Sequence, residues 1–199
     1  MGTKVGGVIR LLALIAIASM PACTYEEPLT SESIREAYFL GQRRDEATAG
    51  FLAHYYHDYP LPKTGPYISR VQVLTPYAQI VLSAEDGEIR GSAMEAERHY
   101  RTQPSLFLVR VRVYSTPTYP SAPKWEQFWE KLSILVVQGK PLKPEKKSYL
   151  GLPRGRGPAY TDVELSFAAA QIKSAPMTVE VSSPDGQHLE ASFDLDKLK

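Results

Sequence analysis

His54 and His57 stand three residues apart in His54-Tyr55-Tyr56-His57-Asp58, and on a helix that spacing puts both imidazoles on one face beside a carboxylate. Two neutral imidazoles and a carboxylate form a donor set that suits zinc. No third ligand is fixed by spacing, so a solvated helix end flanked by tyrosines competes with a metal site. Serine chemistry has less to stand on. No G-x-S-x-G turn occurs, and Gly91-Ser92 lacks the surrounding glycine that a strained nucleophile turn needs. The run 151–160, GLPRGRGPAY, brings Arg154 and Arg156 together among glycines but lacks the Gly-Lys-Ser/Thr ending and the helix of a phosphate cradle. It reads as a basic loop. With Lys140, Lys143, Lys146 and Lys147 close in sequence, it can meet anionic headgroups or envelope polysaccharide, or simply keep an edge strand from pairing. Twelve tyrosines include the cluster Tyr55, Tyr56 and Tyr59, which suits either a protein or glycan contact or a seam between helix and sheet.

Cys23 is the only cysteine. Lys4 and Arg10 provide a basic start, 11–18 (LLALIAIA) an apolar run, and Ser19-Met20-Pro21-Ala22 leads into the thiol. This layout is that of a secretory signal peptide, whose apolar core spans about 7–15 residues. It is too short for a membrane-spanning helix, which needs about 20. With Met20 three places and Ala22 one place before the cysteine, the segment resembles the bacterial lipoprotein signal. That resemblance implies cleavage after residue 22, lipidation of Cys23, a membrane partner reached through that anchor, and an extracytoplasmic location on the periplasmic or outer face of a bacterial cell. It carries no information on the domain that follows.

The remainder, 23–199, fits one domain, with 23–29 expected as a tether and 30–199 as the folded unit. Lys plus Arg number 23 against 22 for Asp plus Glu, so no overall field favours nucleic acid. Sixteen prolines and 13 glycines argue against a helical bundle. Capped at Thr30 or Ser31, one helix is predicted over 31–56, its stripe running through Ile34, Ala37, Tyr38, Gly41 and Leu52. Strands are predicted at 70–73, at 78–82 through Ala78, Ile80 and Leu82, and at 106–114, where Phe107, Val109, Val111 and Val113 share a face opposite Arg110 and Arg112. Residues 86–103 read as a polar loop with a helical turn near Met94 to Tyr100. Trp125, Phe128, Trp129 and Leu132 have helical spacing, and strands follow at 133–137, at 140–142 with a continuation towards Tyr149, and at 163–167. A hairpin over 177–193 turns at Pro184-Asp185-Gly186.

The fold class expected is therefore mainly β, a β-sandwich of about seven or eight strands over 67–196 with one N-terminal α-helix. An immunoglobulin-like arrangement is the commonest such solution; a barrel or a two-layer α+β sheet is the alternative. For function the expectation is a membrane-anchored, non-enzymatic binding or assembly module of the cell envelope, without cofactor, facing an envelope protein or glycan. An envelope hydrolase or metal-dependent enzyme with a site near His54 and His57 is the alternative.

Overall fold

The computed structural model describes residues 25–60, 66–115, 123–151 and 159–199. Among them the chain is mainly β, with two antiparallel sheets and five helices. The single helix expected over 31–56 is two helices and the start of a strand. Thr30 accepts a hydrogen bond from the Ser33 N–H and opens α1 (Ser31–Arg43). Arg44 then takes a left-handed conformation, φ 51°, which ends the helix, and Asp45 recaps the chain for α2 (Glu46–Ala53) through the N–H groups of Ala47 and Thr48. Beyond α2, Tyr56–Asp58 forms the short strand β1.

The strand expected at 78–82 is a helix. After β2 (Pro66–Leu74), Thr75 caps α3 (Pro76–Glu85) with Pro76 in its first turn, and the next segment, expected as a polar loop with one helical turn near Met94 to Tyr100, carries the longer helix α4 (Ala93–Thr102), capped by Ser92. Ile34, Ala37 and Tyr38 of α1, Tyr77, Ile80 and Val81 of α3 and Ala96 of α4 form one apolar cluster. Gly41 sets the distance between α1 and α3. A Cβ there would collide with the Val81 carbonyl oxygen and lie 2.8 Å from the Ala84 Cβ.

The rest alternates as expected: β3 (Leu106–Ser115), α5 (Pro123–Lys131), β4 (Ser133–Gln138), β5 (Lys140–Leu142), β6 (Lys146–Leu150), β7 (Ala159–Ala168), β8 (Pro176–Ser182) and β9 (His188–Asp194). The predicted continuation of 140–142 towards Tyr149 is a separate strand, because β6 leaves β5 and joins the other sheet. The orders are β1-β2-β3-β7-β6 and β5-β4-β8-β9, every pair antiparallel. Val71, Val111 and Val163 stand in register across the first sheet, as do Val73, Val109 and Leu165. They share one core with Val136, Met177, Val179, Val181, Ala191 and Phe193 of the second. Each valine, leucine, methionine or phenylalanine among them, fully buried, stabilises the fold by about 1.5–3 kcal/mol.

Within the expected tether 23–29, the described residues 25–29 make two buried contacts with the domain. Tyr25 is buried, its hydroxyl donating to the Ala169 carbonyl at 2.8 Å and its N–H to the Leu195 carbonyl at 3.3 Å. Leu29 is buried too, its N–H bonded to the Tyr100 hydroxyl at 2.9 Å.

Candidate functional site

The two histidines do not share a helical face. His54 is the exposed C-terminal cap of α2, whereas His57 lies on β1, its ring 4.9 Å from that of Phe193. His57 Nε2 sits 3.0 Å from the Ser192 carbonyl oxygen, and since a carbonyl only accepts, this nitrogen carries a proton. Tyr59 donates to the Glu190 carbonyl at 3.1 Å. Both carbonyls belong to β9, the last strand of its sheet, so these side chains satisfy an edge that would otherwise be open to pairing. Burial, with the nearby Glu190 carboxylate second, pushes the Tyr59 hydroxyl above its ordinary pKa. Among the described residues no group of three or more His, Cys, Asp or Glu side chains is placed to hold a metal ion.

Tyr55 and Tyr56 are also structural. Tyr55 is buried, donating to the Lys199 carbonyl at 2.9 Å and accepting from the Lys199 N–H at 3.0 Å. Tyr56 lies beneath the guanidinium of Arg70, 3.9 Å from its ring centre. Cys23, Arg154 and Arg156 lie outside the described residues.

The outward face of the first sheet carries a lattice of ion pairs that crosses four strands. Asp58, Arg70, Arg112 and Asp162 stand in one row of the register. Arg70 forks onto Asp58 at 2.6 and 3.0 Å, and Arg112 onto Asp162 at 2.8 and 2.9 Å. Each guanidinium also covers the tyrosine two residues before its aspartate, Tyr56 for Arg70 and Tyr160 for Arg112. The Asp162 hydrogen bond, outweighing burial, holds the Arg112 proton more tightly than usual. In the next row Arg110 places Nε and Nη2 on a single oxygen of Glu164, at 3.2 and 2.8 Å. The other Glu164 oxygen and Arg110 Nη1 have no hydrogen-bond partner among the described residues.

This second pair stands in the wall of a cleft of about 450 Å³ where α3 and α4 meet the outward face of β3 and β7. Leu74, Leu82, Leu106 and Leu108 give it apolar lining. Gln79 reaches from α3 to the carbonyls of Leu74 and Leu106, at 3.0 and 2.7 Å, and fixes the helix to the strand ends. On α4, His99 Nε2 is 3.0 Å from Gln103 Nε2. Ser105 Oγ lines the same cleft and is buried without a hydrogen-bond partner among the described residues. An orphaned buried hydroxyl costs about 1–3 kcal/mol and marks a place where a polar group is wanted.

The chain matches no protein-family model, no curated protein and no solved structure. The cleft's chemistry must then be read from its own residues. It is a half-open trough with leucines for an apolar body, and its charged lining is the partly satisfied Arg110–Glu164 pair together with Asp86 and Glu88.

Sequence reasoning missed this site. Arg110 and Arg112 were visible as the wet face of β3, and Asp162-Val163-Glu164 shows the complementary alternation. Reading the two strands as neighbours would have paired them. The wall stayed hidden because α3 read as a strand and α4 as a loop with no more than one helical turn.

Proposed function

We propose that this chain is a lipid-anchored binding module of the bacterial cell envelope that holds its partner without transforming it. Its β layer is read as an immunoglobulin-like sandwich. The strand order supports that reading: β2-β3-β7-β6 follows the A-B-E-D order of such a domain and β5-β4-β8-β9 the C′-C-F-G order, with β1 added outside A. In this frame α3 and α4 form an insertion in the A–B connection.

The observation that carries a binding role is the Arg110–Glu164 pair set among the leucines of the cleft. The pair is about four-fifths buried, with side-chain exposures of 21% and 16%, so an added hydrogen bond to either ion counts for more than it would on an open surface. A protein or glycan segment with both apolar and charged groups is the complementary partner. An enzymatic reading centred on His54 and His57 has no comparable support, because its premise was a shared helical face.

The test joins place and role. Mass analysis of the mature protein is expected to show an acylated amino terminus at Cys23. A photoreactive side chain at Gln103, on the cleft rim, is expected to cross-link one envelope component in wild type and lose it in Leu108→Glu. An unmodified terminus elsewhere would sink the anchor, and cross-linking unchanged by Leu108→Glu would sink the cleft.

A further inference from the structure

Tyr25 is the first described residue, and in sequence only Thr24 separates it from Cys23. Tyr25 is 9% exposed, meets the ring of Phe107 edge-on at 6.1 Å, and is held by the carbonyls of Ala169 and Leu195. Two residue steps span at most about 7 Å, so the Cys23 Cα lies within that distance of the Tyr25 Cα. An acyl chain on Cys23 would thus leave the domain no slack with which to stand off a bilayer. The end of the fold at Tyr25 must be the end that meets lipid.

That end carries cations. Gln138, at the end of β4, donates to the carbonyls of Lys173 and Ala175 at 2.7 and 3.1 Å and accepts from the Lys173 N–H at 2.9 Å. It thereby ties the turn before Lys140 to the loop before β8, next to Leu195. Lys143 and Lys146 follow where the chain crosses between the sheets, Lys146 opposite Ser166 near the end of β7. All four lysines are exposed and none has an ion-pair partner among the described residues. Of the nearby carboxylates Asp194 is ion-paired with Lys197, whereas Asp196, Glu26 and Glu27 accept from the hydroxyls of Ser174, Ser33 and Tyr100 and keep their charge, as does the exposed Glu145.

We infer that the Tyr25 end of the domain is a membrane-apposed surface on which Lys140, Lys143, Lys146 and Lys173 contact anionic lipid headgroups. The inference rests on acylation of Cys23, and adds an orientation and a lipid preference that an anchor alone does not supply. A surface lysine gains from an anionic bilayer only within about a Debye length, roughly 8 Å at physiological salt, so these contacts require this end of the domain to lie against the headgroups.

The mature lipidated chain, reconstituted into vesicles of neutral lipid with or without 30% phosphatidylglycerol, gives the test. Because Cys23 is the only native cysteine, Gln171→Cys and Asp185→Cys can each be labelled singly with a fluorophore. Gln171 lies at the Tyr25 end, and Asp185 lies beyond the far end of β8 and β9, about 20 Å away by strand rise. A nitroxide on the lipid headgroup is expected to quench the label at 171 at least threefold more than that at 185. The difference should grow with phosphatidylglycerol and lose that growth when the four lysines are changed to Gln. Failure of the wild-type chain to float with vesicles would overturn the anchor and, with it, the orientation. Flotation with equal quenching at both labels would overturn the orientation alone. Quenching at 171 indifferent to phosphatidylglycerol would remove the lysine contacts.

Discussion

Arg70 and Arg112 face each other directly across β2 and β3, where like charges repel. The sheet tolerates them because an aspartate stands outside each one and a tyrosine beneath it, giving every guanidinium two partners. The two halves of the row are alike in geometry and unequal in solvent. Asp162 is 9% exposed and Asp58 54%, while their arginines are alike at 34% and 31%, so an amide at 162 is a buried polar group with no water to replace the lost pairing, whereas at 58 water takes over. Asp162→Asn is expected to lower unfolding free energy by about 1–3 kcal/mol and Asp58→Asn by less than about 1 kcal/mol. Urea titration of the two variants checks this, and equal losses would contradict the asymmetry.

At the scale of elements, the close approach of α1 and α3 depends on Gly41. Gly41→Ala improves helix propensity but sets a methyl against the Val81 carbonyl, and overpacking of that kind costs about 1–3 kcal/mol. Thermal melting should show a lower Tm, whereas Gly50→Ala on α2, with open space around it, should be neutral or stabilising. Which elements could be read in advance follows from how many sides each one buries. Strands β3, β7, β8 and β9 were legible because each has one dry face and one wet face, so their period survives in the sequence. Helix α3 buries Ala78 against the sheet core and Tyr77, Ile80 and Val81 against the other helices. Buried on both sides, it loses its period, and the chance alternation of Ala78, Ile80 and Leu82 imitates a strand. The signal that survived was Thr75-Pro76, a cap followed by a first-turn proline. The break between α1 and α2 had its own mark in Asp45, whose carboxyl is held below the ordinary range chiefly by the Thr48 N–H.

Across the whole molecule, the first described elements are closed by the last. Tyr25 is bonded to Ala169 and Tyr55 to Lys199, partners 144 residues apart in each case. Thr75, the cap of α3, also donates to the Lys199 carbonyl, so the helical cluster and the sheets meet at one residue. The cleft was illegible for a related reason: its walls come from segments as distant as Leu82 and Glu164, and only the closed topology brings them together. Removing 195–199 is expected to leave Tyr55 and Thr75 without the Lys199 carbonyl and the Tyr25 N–H without that of Leu195, and to raise the rate of limited proteolysis at least tenfold, as checked by the decay of the intact band. The same arrangement has a meaning in time. A chain emerging from its amino end makes Tyr25 and Tyr55 early and must hold them unsatisfied until residues 169 and 199 arrive. The contacts that close the fold are therefore among the last that a chain made from its amino end can complete.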